Sequence, residues 1–369
     1  MSIYQLGVLA MYLPGRKLEE LSFFRKLSVH GQKLGIEVLV FTPDDLDESM
    51  NKINALFFHS PTQQWRRKWI PFPGLIYDRC RYHGIDNFHK ISKFRSQNSK
   101  LRYLSKPLAN KWTMYQILSE KPEIAAHLPA TVRYNGDKEL IKFLKQHRRV
   151  FLKPRNGTGG RGIVRLQSMS DSLFILQGRD PQRRIINAQK VNANQISARL
   201  SGWKLEGRYI VQQGIPLTLK DGRVHDFRML VQKNGKGQWQ ITGCAGRVGP
   251  KNSVTSNLHG GGSAIPMEAL LKRRFADHAK INAIKNDAYE LGMQVAHFTE
   301  EKFGIQCEIG IDLAVDPSGK VWLLEVNPKP SREVFYRIGE REIYRNAIVR
   351  PLEYALWLFK KKPSDSKEQ

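Results

Sequence analysis

Acidic residues and cysteines are the scarce components of this 369-residue chain, and long apolar runs are missing. Three cysteines, Cys80, Cys244 and Cys307, stand far apart with no C-x-x-C pair. That spacing offers neither a cysteine zinc site nor a disulfide framework, and reduced thiols fit a cytosolic, cytoplasmic chain. No apolar stretch approaches the roughly 20 residues needed to cross a bilayer, so we expect no membrane span. The segment MSIYQLGVLAMYLPGRKLEE has no basic residues ahead of its short apolar run, so we also expect no secretory signal. Only 34 Asp and Glu face 60 Lys and Arg, a formal net charge of +26. Such an excess favours an anionic partner: a nucleotide, an acidic peptide, a phosphate polymer, nucleic acid or an anionic assembly surface. The composition is otherwise that of a folded soluble protein, long enough for two or three compact units, and no internal repeat is evident.

The stretch FLKPRNGTGGRGIVRL, residues 151–166, crowds Gly157, Gly159, Gly160 and Gly162 behind Lys153. Gly157, Gly159 and Gly162 satisfy the G-x-G-x-x-G spacing of a dinucleotide fold. That fold places the glycines between a strand and a helix, whose N-terminus faces the pyrophosphate. Here Val150-Phe151-Leu152 precedes the loop and Ile163-Val164-Arg165-Leu166 follows it, and both flanks read as strands. A Walker A loop is excluded too, because Ile163 stands where Lys-Ser/Thr would follow the last glycine. A glycine-rich hairpin that could fold over phosphates remains, with Lys153 on the entering strand.

Short apolar runs and amphipathic stretches alternate over the first hundred residues: QLGVLAMYL, GIEVLVFTP, NALFFH and GLIYDR as strands, KLEELSFFRKLSVHGQKL as a helix. This order predicts a small α/β domain with a parallel sheet. Residues 79–111 form a basic connector whose only acid is Asp86. Its aromatics Tyr82, Phe88, Phe94 and Tyr103 could stack on bases, yet no nucleic-acid motif accompanies them. KWTMYQILSE and DKELIKFLKQH then read as helices, ATVRYN as a strand, and RYIVQQGIPL, HDFRMLVQKN and WQITGCAGRVG as further strands. A long helical region from Pro266 to about Phe303 precedes the hairpin EIGIDLAVDPSGKVWLLEVNPKP. SDSKEQ looks like a frayed tail.

Chemistry concentrates in that last hairpin. A two-residue turn between Asp316 and Gly319 would set Asp312 opposite Leu323, with Glu325 and Asn327 on the same face. Two carboxylates and an amide suit a hard cation such as Mg²⁺, whose other ligands are water and phosphate. Arg228 alternates with Asp226 in HDFRMLVQ, and Arg247 lies in CAGRVG. With Lys111 and Lys153 they make four cations, a match for a bound triphosphate. SNLHGGGSA adds Asn257, His259 and a second glycine run.

Taken in order, Lys153 before NGTGGRG, then YIVQQGI, DFRMLVQ, GRVG…SNLHGGG and GIDLAVD…LLEVNPKP resemble the ATP-grasp superfamily over roughly residues 108–360. Each motif has low specificity alone; the ordered set is strong. Within the superfamily the sequence looks most like the YheC/YheD branch of endospore-coat-associated proteins, and SNLHGGG is also similar to ligases that add glutamate to a protein terminus. The resemblance implies an α/β (α+β) chain: a pre-ATP-grasp-like domain over 1–107, a first ATP-grasp lobe with the glycine loop over 108–205, a second lobe with the metal and phosphate site over 206–360, and a flexible tail over 361–369. It implies that Lys111, Lys153 and the loop Gly157, Thr158, Gly159, Gly160 and Gly162 hold ATP phosphates. Gln212, Gln213 and Ile215 would meet adenine, although this hinge is often acidic in the superfamily. Asp312, Glu325 and Asn327 would hold one or two Mg²⁺, with Mn²⁺ as a substitute. Arg228 and Arg247 would face the transferred phosphoryl group, and Asn257 would support metal or phosphate.

The implied reaction is ATP-dependent joining of a carboxylate to an amine through an acyl phosphate, which asks the protein for alignment and charge neutralisation. His225 and His259 are candidate proton acceptors. Lys329 and Arg332 are candidates to hold a substrate carboxylate. Positive charge around the cleft would suit an acidic peptide. The rival reading is a nucleotide-binding or structural component of an anionic spore coat, spore-associated and with little catalysis.

Overall fold

The computed structural model describes residues 4–81, 85–157, 160–251, 253–256, 258 and 261–361. Apolar runs of β-branched residues and leucine build the centre of the first sheet. β1 (Tyr4–Leu9) and β2 (Ile36–Phe41) run parallel, joined through α1 (Leu21–Lys33), whose Phe24 and Leu27 are buried. β3 (Lys52–His59) is antiparallel to β2 and carries the hairpin partner β4 (Gln64–Pro71). β5 (Leu75–Asp78) pairs with β1 in parallel, giving the order β4-β3-β2-β1-β5. The sheet is therefore mixed, a correction to the expected parallel one. Arg66, Arg67 and Lys68 interrupt the apolar alternation of β4 and hide it in the sequence. The basic connector contains α2 (Ile85–Gln97), which buries Ile91 and Phe94 against this sheet. Phe94 and Tyr103 belong to that core, Phe88 is exposed, and Tyr82 lies outside the described residues.

The second sheet is antiparallel throughout. Asn110 caps α3 (Lys111–Leu118) by accepting from the Trp112 and Thr113 amides. β6 (Thr131–Arg133) and α4 (Asp137–His147) follow, and then β7 (Arg149–Pro154) and β8 (Ile163–Ser168), the two strands that flank the glycines. β9 (Phe174–Arg179), β10 (Ile185–Val191), α5 (Ala193–Leu200) and β11 (Tyr209–Gln213) complete the order β10-β9-β8-β7-β11-β6. Leu140 and Leu144 of α4 lie over Leu152, Val164 and Leu166.

The third sheet holds β12 (His225–Lys233), β13 (Trp239–Val248), β14 (Ser263–Pro266), β15 (Glu308–Val315) and β16 (Val321–Asn327), in the order β14-β13-β12-β15-β16. The helical region read as one is two helices, α6 (Met267–Lys272) and α7 (His278–Phe303), because Asp277 caps a fresh start by accepting from the Ala279 amide. α8 (Glu333–Arg337) and α9 (Arg341–Lys360) follow the last strand. α9 places Ile348, Leu352 and Ala355 in one core with Leu6, Val8 and Val38, so the end of the chain packs on the first sheet. Among the described residues no helix is long and apolar enough to cross a membrane. Residues 362–369 of the expected tail lie outside the described residues.

Candidate functional site

A cavity of about 200 Å³ opens between the second and third sheets, under the glycine loop. Lys153 on β7 reaches across to Gln212 on β11 and donates to its Oε1 at 2.6 Å. The Gln212 amide is pinned from both ends, since its Nε2 donates to Thr131 Oγ1 at 3.2 Å. Gln213, on the opposite side of the pleat, accepts the Ala130 N–H at 3.2 Å through Oε1. Ile215 lines the cavity next to these glutamines. Burial pushes the Lys153 ammonium down from its ordinary value; Lys111 adds to that while Glu325 opposes it. Lys111, first residue of α3, donates to Gly157 O at 2.7 Å and stands 3.2 Å from Glu325 Oε1, tying the loop to β16. Gly160 and Gly162 take φ of +76° and +61°, a left-handed backbone that favours glycine. Thr158 and Gly159 lie outside the described residues.

The opposite wall is a charge mosaic laid across three strands. Asp226 on β12 faces Arg247 on β13, and Arg228 on β12 faces Asp312 on β15. Arg247 grips Asp226 with bonds of 2.7 and 2.6 Å. Arg228 grips Asp312 at 2.5 and 3.1 Å, and Arg247 adds a contact to Asp312 at 3.2 Å. Burial raises the cost of the Asp312 charge, yet the two guanidiniums outweigh it and hold the carboxyl well below the usual carboxylate range. Asn327 Nδ2 donates to Asp312 Oδ2 at 3.4 Å.

Asp312 lies opposite Glu325, not Leu323 as the two-residue turn implied. The loop has three residues, Pro317 to Gly319, because the Asp316 N–H bonds Lys320 O at 3.0 Å. That shifts the register by one, and a bulge between the Asp312 and Leu313 pairings shifts it by one more. The two shifts together return Glu325 and Asn327 to the face of Asp312. The donors are hard oxygens, two carboxylates and an amide, a set that fits Mg²⁺ with water and phosphate completing the shell. Side-chain cations balance both carboxylates here: Arg228 and Arg247 on Asp312, Lys111 on Glu325.

Residues 100–358 match the protein family described as "YheC/D like ATP-grasp". The chain belongs to that family. Its relatives include proteins named for the spore coat. It is 26% identical over 349 residues to the endospore coat-associated protein YheC of Bacillus subtilis, covering 92% of this chain and 93% of that protein. It is also 26% identical over 343 residues to YheD of the same organism, covering 92% and 74%. The solved structure of the D-cycloserine synthetase DcsG superposes with a TM-score of 0.56 at 13% identity, covering 95% of this chain and 99% of that one. The ATP-grasp fold therefore spans nearly the whole chain, the first sheet included.

Within this YheC/D-like chain the cavity brings together Lys111, Lys153, Gly157, Gly160, Gln212, Gln213, Ile215, Arg228, Arg247, Asp312, Glu325 and Asn327. Lys329 and Arg332 are placed elsewhere, a correction to the substrate-carboxylate expectation. Lys329 Nζ bonds Asp78 Oδ1 at 2.7 Å and Cys80 O at 2.6 Å. Arg332 is 4% exposed and bonds Glu308, the Tyr77 hydroxyl (2.7 Å), Pro330 O (2.8 Å) and Ala347 O (3.2 Å). His225 is also unsuited to taking a proton. Burial and the Arg274 guanidinium push its imidazole down to about 4, and its Nε2 already accepts from Arg274 Nη1 at 3.1 Å. Asn257 and His259 lie outside the described residues. Asp226 was legible as a strand neighbour of Arg228 but not as the carboxylate that orients Arg247. Its signal was the two-residue spacing that puts both on one face.

Proposed function

We propose that the protein is an ATP- and Mg²⁺-dependent carboxylate-amine ligase that works through an acyl phosphate. The observation that supports this most is the facing pair Asp312 and Glu325, set among Lys111, Lys153, Arg228 and Arg247 in one cleft under the glycine loop. Five cations, Arg161 included, face the carboxylates of Asp226, Asp312 and Glu325 there, so a triphosphate together with one divalent ion brings the cleft close to neutrality.

In this reading Lys111, Lys153 and the loop 157–162 hold the phosphates, while Gln212, Gln213 and Ile215 meet the adenine. A substrate carboxylate oxygen attacks the γ-phosphorus as its bond to the leaving ADP oxygen breaks. The amine nitrogen then bonds to the acyl carbon as phosphate departs, and the amine gives up a proton to solvent or phosphate. Arg228 and Arg247, fixed on strands by Asp312 and Asp226, steady the charge on the transferred phosphoryl group. Mg²⁺ or Mn²⁺ on Asp312, Glu325 and Asn327 would supply charge neutralisation and in-line positioning.

The names of the relatives favour a second reading, a spore-associated nucleotide-binding component of an anionic coat. One experiment separates the two: ADP release with Mg²⁺-ATP, with and without pools of amino acids and acidic peptides. The ligase reading expects pool-stimulated release that falls at least about 100-fold in Glu325→Ala. ATP binding with no stimulated turnover would replace it with the coat component.

A further inference from the structure

Three guanidiniums gather beside the glycine loop, one of them in the wall of the cleft. Arg161 leaves the glycine loop and lines the cavity, Arg179 ends β9, and Arg183 sits in the turn between β9 and β10. None of the three forms a salt bridge among the described residues, whereas Arg184 beside them is paired with Asp180.

The backbone gathers them. Gly162 donates its N–H to Asp180 O at 3.0 Å, and Ile163 pairs with Arg179. A Cβ on Gly178 would lie 2.2 Å from Ile163 O, so the two strands meet there with no side chain between them. The turn is pinned by Asp180, whose Oδ1 accepts from the Gln182 and Arg184 amides at 2.9 and 2.8 Å and whose Oδ2 accepts from Arg184 Nε at 2.6 Å. Asp180 is thus committed to the turn and to Arg184, and neutralises neither Arg179 nor Arg183. Arg183 is held at φ +70°, a left-handed conformation uncommon for a residue with a side chain. Burial, then Arg161 and Arg179, push its guanidinium below the usual arginine range, with Glu19 of the first unit opposing them.

Like charges held together at a cleft mouth favour an anion. ATP is matched deeper, by the two lysines and two strand arginines of the cleft. An exposed guanidinium–carboxylate pair changes affinity by no more than about 5-fold, so a lone carboxylate makes poor use of the set. A run of carboxylates uses all of it, because each planar guanidinium takes one carboxylate in a paired hydrogen bond. Resting on the ligase reading, we propose that Arg161, Arg179 and Arg183 form a docking rim for an acidic peptide, holding a glutamate- or aspartate-rich substrate at the mouth of the cleft.

The test is fluorescence anisotropy of labelled hexaglutamate on the full chain, with hexaglutamine as the neutral counterpart, at two salt concentrations. A fluorescent ATP analogue with Mg²⁺ is titrated into the same preparations. Arg161 stays intact because it lines the nucleotide cavity. Hexaglutamate is expected to bind more tightly than hexaglutamine and to weaken with salt. R179A/R183A should lose about 10- to 25-fold in hexaglutamate affinity, R179K/R183K should keep most of it, and the ATP analogue should bind all three proteins alike. Equal hexaglutamate binding by the wild type and R179A/R183A overturns the rim, as does equal binding of hexaglutamine. A hexathymidylate that displaces hexaglutamate at lower concentration overturns it in favour of nucleic acid. Arginine-dependent hexaglutamate binding without ATP turnover leaves the rim standing and removes the ligase.

Discussion

Asp312 is held by two guanidiniums and an amide, and its role in the cleft depends on that grip. Arg228 and Arg247 keep it ionised, and it in turn fixes where both arginines point. In the proposed ligase, a ligand bringing phosphate and metal would exchange these partners and need not charge or discharge any of them. His225, one strand position from Asp226, behaves in the opposite way because it is buried neutral. Its folded pKa of about 4 lies below the ordinary 6.5, so the unfolded chain binds more protons between those values. Stability from this residue is therefore complete above about pH 6.5 and is lost as pH falls toward 4. We expect His225 to account for about 2 kcal/mol of lost stability between pH 7.5 and 5. Urea unfolding at both pH values checks it: His225→Phe should lose that much less than the wild type, and parallel losses would refute the assignment.

At the scale of elements, two hairpins carry the site, and both depend on small departures from regular geometry. Around Pro317-Ser318-Gly319 the Asp316 carboxylate accepts from Ser318, Gly319 and Lys320 amides at 2.8, 3.1 and 3.1 Å, which sets the loop at three residues. Without the bulge that follows, Asp312 would face Leu324 and Glu325 would turn to the far side of the sheet. The glycine hairpin has its own tight point at Gly162. A Cβ there would meet the Tyr209 hydroxyl at 2.5 Å, on a backbone with φ +61°. Gly162→Ala is expected to cost about 1–2 kcal/mol. Tyr209→Phe in the same chain should recover part of that by removing the oxygen. Urea midpoints for the single and double variants decide this, and a purely additive pair would show that the contact plays no part.

For the whole molecule, the first unit is joined to the third sheet by a buried polar network. Glu308 accepts from the Tyr77 hydroxyl at 2.5 Å, from Arg79 at 2.9 Å and from Gln232 at 2.8 Å, and pairs with Arg332. Arg79 continues to Glu20 at 2.9 Å, and α9 shares an apolar core with the first sheet. Arg332 is thus a structural tie. Arg332→Ala leaves Glu308 buried with one guanidinium fewer and should lower stability by about 3 kcal/mol. Its affinity for hexaglutamate should match the wild type in anisotropy titrations. A variant of wild-type stability with weakened peptide binding would restore the substrate role that the sequence suggested.

What the sequence determined by itself was local or ordered along the chain. Strand signals on both sides of the glycines excluded a dinucleotide fold, and the order of YIVQQGI, DFRMLVQ and LLEVNPKP pointed to the ATP-grasp fold. The excess of lysine and arginine pointed to an anionic partner, since net charge does not depend on how the chain folds. β4 and β10 escaped that reading because their exposed, polar faces carry almost no apolar alternation. Only the tertiary structure decided which charges meet. Lys329 and Arg332 stand two and five residues past Asn327 in sequence, yet their partners Asp78 and Glu308 come from other strands. The bulge beside Asp312 and the gathering of Arg161, Arg179 and Arg183 likewise depend on strand pairing across the sheets. Ion pairs form between whatever groups long-range packing brings within a few ångströms, and residue type alone does not specify that distance.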